Sequence, residues 1–101
     1  MRMMLTASIP HEPFNSLVRN GTAGAIIQEI LAQLKPEAAY FLEEHRTRCA
    51  VLIFDVADQS RIPFFAEPFF LKFNANCRFR IAMVAEDLAR ADLNALGQRW
   101  K

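Results

Sequence analysis

The chain reads as a single α+β domain: strand, helix, strand, strand, helix, strand, then a short helical tail. Three observations lead there. Four stretches have the alternating or two-sided apolar pattern of strands. Two longer stretches repeat apolar residues at helical spacing. The length, 101 residues, fits one domain and no more, so the domain runs 1–101.

Residues Arg2 to Ile9 form the first expected strand, with Met3, Leu5 and Ala7 on one side and Arg2, Met4 and Thr6 on the other. Pro10 ends it, because proline cannot donate to a ladder. His11-Glu12-Pro13 opens a helix, with Pro13 in the first turn where its missing N–H does no harm. Phe14, Leu17, Val18, Ile26, Ile27, Ile30, Leu31 and Leu34 carry the helical period. Asn20-Gly21-Thr22-Ala23-Gly24 interrupts it, which predicts either a helix with a weak middle or two helices with Thr22 capping the second. Lys35-Pro36 stops it.

Glu37 to Glu44 reads as the second strand, and His45-Arg46-Thr47 as a tight connection. Arg48 to Val56 is apolar on both faces, Cys49, Val51 and Ile53 against Ala50, Leu52, Phe54 and Val56, so it belongs at the centre of a covered sheet. Asp58-Gln59-Ser60 supplies caps for a second helix through Phe73, which Pro68 should kink or split. Cys77 to Val84 is the fourth strand. A tail helix follows from Ala85-Glu86-Asp87 through Leu96, with Gly97 as its expected terminator.

This order is the split βαβ, ferredoxin-like plan. Right-handed crossovers give an antiparallel sheet of order 4-1-3-2 with both main helices on one face. The other face carries Met4, Val51, Ile53 and either Tyr40 or Phe41, too apolar a surface to leave wet. Nine phenylalanines in so short a chain point the same way. The expected cover is the same face of a second copy, giving a homodimer with its sheets face to face.

The layout resembles the dimeric α+β barrel superfamily and, more closely, a family of small uncharacterised bacterial proteins within or near it. The resemblance rests on Ile9-Pro10-His11-Glu12-Pro13-Phe14-Asn15, Gly21-Thr22-Ala23-Gly24, Lys35-Pro36-Glu37-Ala38, Asp55-Val56-Ala57-Asp58 and Ala66-Glu67-Pro68-Phe69-Phe70. It spans nearly the whole chain and implies the fold and the dimer, but no catalytic residue. Superfamily relatives include haem-degrading and quinone-forming monooxygenases. The haem-binding ones use a histidine on the second helix, and Ser60 to Phe73 contains none.

Composition narrows the function classes. A hydrophobic fraction of 52% excludes a disordered chain. A net charge of +1 argues against a nucleic-acid partner, which needs a dense basic face. No apolar run is long enough to span a membrane. Met1 to Leu5 is too short an apolar stretch for a signal peptide, so the expected location is cytoplasmic. Cys49 and Cys77 have no metal or redox spacing and read as free thiols.

The candidate site residues are few. His11 sits where the first strand meets the first helix, a place for a general base or a ligand-orienting group. Asn15 lies one helical turn later, and the two together would grip a carbonyl or phenol oxygen. Phe65 and Phe69 flank Glu67 in the segment Phe64 to Phe70; a carboxylate turned into those rings would become a usable acid or base. Asp55 is expected to pair across the sheet with Arg2. Arg78 and Arg80 would guard an edge strand or meet a partner's carboxylate. His11 and His45 fall on strands with another between them, so no shared metal is expected, and no cofactor is called for. The expectation is a small-molecule-binding homodimer with an aromatic-lined cleft for a compact aromatic or apolar ligand. The alternatives are a cofactor-independent oxygenase or isomerase of the same build, and a structural or regulatory dimer without ligand.

Overall fold

The computed structural model describes residues 1–101. The elements are β1 (Arg2–Ile9), α1 (His11–Arg19), α2 (Ala23–Leu34), β2 (Ala38–Glu44), β3 (Thr47–Asp55), a 3-10 turn (Gln59–Arg61), α3 (Ile62–Phe73), β4 (Asn76–Ile81), α4 (Ala85–Arg90) and α5 (Leu93–Arg99). The four strands form one antiparallel sheet of order β2-β3-β1-β4, which is β4-β1-β3-β2 counted from the other edge. The class is α+β, and β1 and β3 are the central strands.

Register assigns each side chain to a face. Met3, Leu5, Ala7 and Ile9 of β1 lie beside Ala50, Leu52 and Phe54 of β3, and all of these are buried. Helices α1, α2 and α3 cover this face and contact one another. In α3, Phe65, Phe69 and Phe73 recur every fourth residue and form one inward row. Phe54 stacks on Phe65 with ring centroids 3.8 Å apart and meets Phe79 edge-on. Phe14 packs against Phe73 at 5.1 Å. Five of the nine phenylalanines are buried in this way, so much of the apolar surplus is spent inside one copy.

Local chemistry explains the element ends. The first helical region divides into two because Gly21 turns left-handed, with φ 82°. Thr22 occupies the N-cap position of α2, but its hydroxyl donates to the Asn20 carboxamide at 2.6 Å and does not cap the helix. In α1 the backbone at Glu12 is extended, so regular helix starts at Pro13. The Glu12 carboxylate then acts as the cap, accepting from the Ser16 hydroxyl (2.7 Å) and backbone N–H (3.3 Å). The β2–β3 hairpin closes through His45 and Arg46, both at positive φ, as a two-residue turn of the primed type.

Several expectations are corrected. Helix α3 passes through Pro68 unbroken. The carbonyl that Pro68 leaves unpaired belongs to Phe64 on the helix's outer side, while the inward phenylalanine row holds both halves on the sheet. Strand β4 stops at Ile81, and the tail is two short helices separated by Asp92 in the left-handed region. Gly97 lies inside α5 and does not end it. Arg2 and Asp55 face each other in register. However, the Arg2 guanidinium makes a forked pair with Glu37 (3.0 and 3.1 Å), and Asp55 accepts from the Met1 amine at 2.7 Å.

The opposite face of the sheet has no helix over it. Met4, Val51 and Ile53 are half-buried there, and Tyr40, opposite Val51, is 61% exposed. The register thus resolves the choice between Tyr40 and Phe41: Tyr40 lies on the open face, and Phe41, opposite Ala50, on the helix side. Arg78 and Arg80 stand on the β4 side of the same open face, opposite Thr6 and Met4. No helix is long and apolar enough to cross a membrane.

Candidate functional site

An open cleft of about 550 Å³ lies where the hairpin end of β2 and β3 extends beyond the helix layer. Its floor is apolar, from Ile9, Phe14, Ile27 and Phe41. Its rim is polar, with His11, the cations Arg46 and Arg48, and Glu43 as the one acid. The volume falls within the range of small-molecule sites.

Arg48 is the best-held polar group of this rim. It follows the inward row of β3, in step with Ala50, Leu52 and Phe54, but beyond the last apolar position. Its guanidinium donates to the Asn15 side-chain oxygen at 2.7 Å and lies 4.6 Å above the Phe14 ring. These contacts tie β3 to α1 and fix one cation at the cleft while leaving other guanidinium N–H groups free. Glu43 is turned toward its own hairpin, where its carboxylate accepts from the Arg46 backbone N–H at 2.7 Å.

The expected site residues are dispersed. His11 is exposed and lines the cleft. Asn15 does not stand with it as a gripping pair. The extended backbone at Glu12 puts His11 out of step with the helix, and the Asn15 oxygen is taken by Arg48. Phe65 and Phe69 are 5% and 3% exposed and belong to the core. A void beside Phe69 has a volume of about 10 Å³, too small for any ligand. Glu67 points away from the phenylalanine row into a separate groove between α2 and α3, beside Phe64, Leu71 and Lys72. His11 and Glu67 therefore occupy different depressions and form no acid–base pair.

The thiols are quiet. Burial, reinforced by the nearby charge of Glu44, pushes Cys49 up from the usual thiol range. Burial, then the charge of Glu67, pushes Cys77 up to about 11. Neither is a thiolate at neutral pH, so neither offers a nucleophile. No group of three or more His, Cys, Asp or Glu side chains converges to hold a metal ion.

Sequence reasoning missed Arg48, Phe14 and Phe41 as site residues. The signal for Arg48 was present: an arginine in phase with the inward-facing row of a two-sided apolar strand must find a partner at the edge of the helix layer. Phe41 carried no such signal, because its neighbours fit either face. Comparison of the chain with protein-family models, with curated proteins and with solved structures finds no match.

Proposed function

We propose that this protein is a small-molecule-binding, cytosolic homodimer of ferredoxin-like, dimeric α+β barrel type. Its cleft at the hairpin end takes a compact aromatic or apolar molecule bearing an anionic group. The observation that carries this reading is the pairing of an apolar floor with the fixed guanidinium of Arg48. An aromatic or aliphatic body would bury against Phe14, Ile27 and Phe41, and its carboxylate would meet Arg48, with His11 as a second donor. Pairing through the open sheet face is supported by the row Met4, Val51 and Ile53, which ordinary solvent exposure does not explain. The two unpaired cysteines fit a reducing compartment.

The test is a titration of isotope-labelled, full-length protein with benzoate, phenol and benzylamine, followed by amide chemical shifts. Benzoate should give saturable shifts centred on His11, Phe14 and Arg48, phenol weaker ones, and benzylamine none. Saturable shifts at the α2–α3 groove, or none with any probe, would overturn the assignment. Pairing is tested separately: Ile53→Lys should convert a species of twice 11.5 kDa into a folded monomer in sedimentation.

A further inference from the structure

The segment after β4 has no place on its own domain. No residue from Ala85 to Lys101 is buried, and neither α4 nor α5 packs substantially against another element. The consequence shows in the dimensions. The radius of gyration is 17.1 Å and the long axis 60 Å, against a radius of about 13 Å for a compact domain of this length. Yet the segment is not built like a solvated tail. Leu93, Leu96 and Trp100 fall three and four residues apart and share one side of α5, and Leu88 adds to the apolar surface from α4. Trp100 is 76% exposed.

Both short helices are nonetheless specified. The Asp87 carboxylate accepts from the Val84 backbone N–H and pairs with Arg90, and Asp92 accepts from the Ala95 N–H at 3.2 Å. Apart from Asp87, which lies near Arg2, the arm makes little contact with its own domain, and its apolar side has its partner elsewhere.

The same chain leaves a second apolar surface uncovered, the open sheet face with Tyr40, Leu42 and Val51. The arm's acids Glu86, Asp87 and Asp92 are balanced by Arg90, Arg99 and Lys101, so the match to this face is one of apolar surface and not of charge. We propose that the arm is exchanged: in the homodimer, each arm leaves its own domain after Ala82, whose N–H still donates to the Arg2 carbonyl at 3.0 Å, and packs its leucines and Trp100 on the open sheet face of the second copy. Two-fold symmetry then satisfies both arms and both faces at once and closes the assembly at two. This rests on the homodimer reading above but makes the partner's arm, and not its sheet, the cover of the open face; the test separates the two.

Trp100 is the chain's single tryptophan, so its emission reports the arm alone. Full-length protein is followed by sedimentation and by Trp100 emission and acrylamide quenching across a concentration series. The expected result is a dimer in which Trp100 is blue-shifted and protected, becoming exposed on dilution in step with dissociation. Leu96 is exposed in a single copy, so Leu96→Asp should leave circular dichroism intact while raising the dissociation constant by about tenfold or more, the cost of losing one buried leucine from each arm. Tyr40→Asp on the receiving face should do the same with the arm untouched, and it serves as the test should Leu96→Asp not fold. A dimer whose Trp100 stays exposed, and which Leu96→Asp leaves intact, overturns arm exchange while sheet pairing stands. A monomer at every concentration overturns both. A Trp100 that is protected independently of concentration shows the arm folding back on its own domain and overturns exchange.

Discussion

Replacing Arg48 with methionine tests both the cleft's architecture and its proposed chemistry. Met keeps much of the unbranched stem and removes the charge and every donor. Two interactions are lost. The charge-assisted hydrogen bond to Asn15, 2.7 Å long and partly buried, is worth about 1–1.5 kcal/mol when its acceptor can turn to water. The guanidinium at 4.6 Å from the Phe14 ring adds about 0.5 kcal/mol at a half-exposed site. The sum, about 1.5–2 kcal/mol, corresponds to a fall in Tm of roughly 6–16 °C for a domain of this length. Thermal and urea unfolding would measure it. Asn15→Ala removes the hydrogen bond alone, and the double variant gives the coupling, expected at about 1 kcal/mol. Additive single effects would refute the contact as a structural tie. Benzoate binding should fall at least tenfold in Arg48→Met and much less in Asn15→Ala; equal losses would mean that Arg48 positions the cleft without meeting the ligand.

Three further outcomes follow from the packing and the titrating groups. Phe69→Ala should lower stability by about 3–5 kcal/mol in urea unfolding, as for any large ring removed from a filled core, with ligand affinity of the folded fraction unchanged. On acidification, stability should decline as several carboxylates lose folded-state partners. The Glu12 carboxyl is held low mainly by the Ser16 hydroxyl, Asp55 by the Met1 amine, Asp58 by the Ser60 hydroxyl and Asp87 by the Val84 N–H. A lowered folded value means stabilisation present above the ordinary carboxylate range and lost as pH falls through the folded values, so Ser16→Ala should flatten the Glu12 part of that decline. Cys77 should resist iodoacetamide at neutral pH and react only as pH approaches about 11 in the folded state, its rate at pH 7.5 staying far below that of free cysteine.

The four strands and the faces of β1 and β3 were readable from the chain, and the divided first helix was one of the two forms it allowed, while the face of β2 was left between Tyr40 and Phe41. The readable features are local consequences of period and backbone preference: a side chain two positions along a strand must share its face, and Gly21 with Asn20 leaves a helix little reason to continue. The rings around Glu67 suggested a cleft lined by Phe65 and Phe69, where the structure has a core row of Phe65, Phe69 and Phe73. Whether rings face a ligand or one another depends on what lies across from them, and Phe54 of β3, which stacks on Phe65, is near only once the sheet forms. For the same reason only the tertiary structure brought Arg48 to Asn15 and Phe14, an interaction across 33 residues of chain. It alone put His11 and Glu67 in separate depressions and sent the arm into solvent. Sequence periodicity determines which side of an element is apolar; the arrangement of elements decides whether that side meets its own domain, a ligand or a second copy.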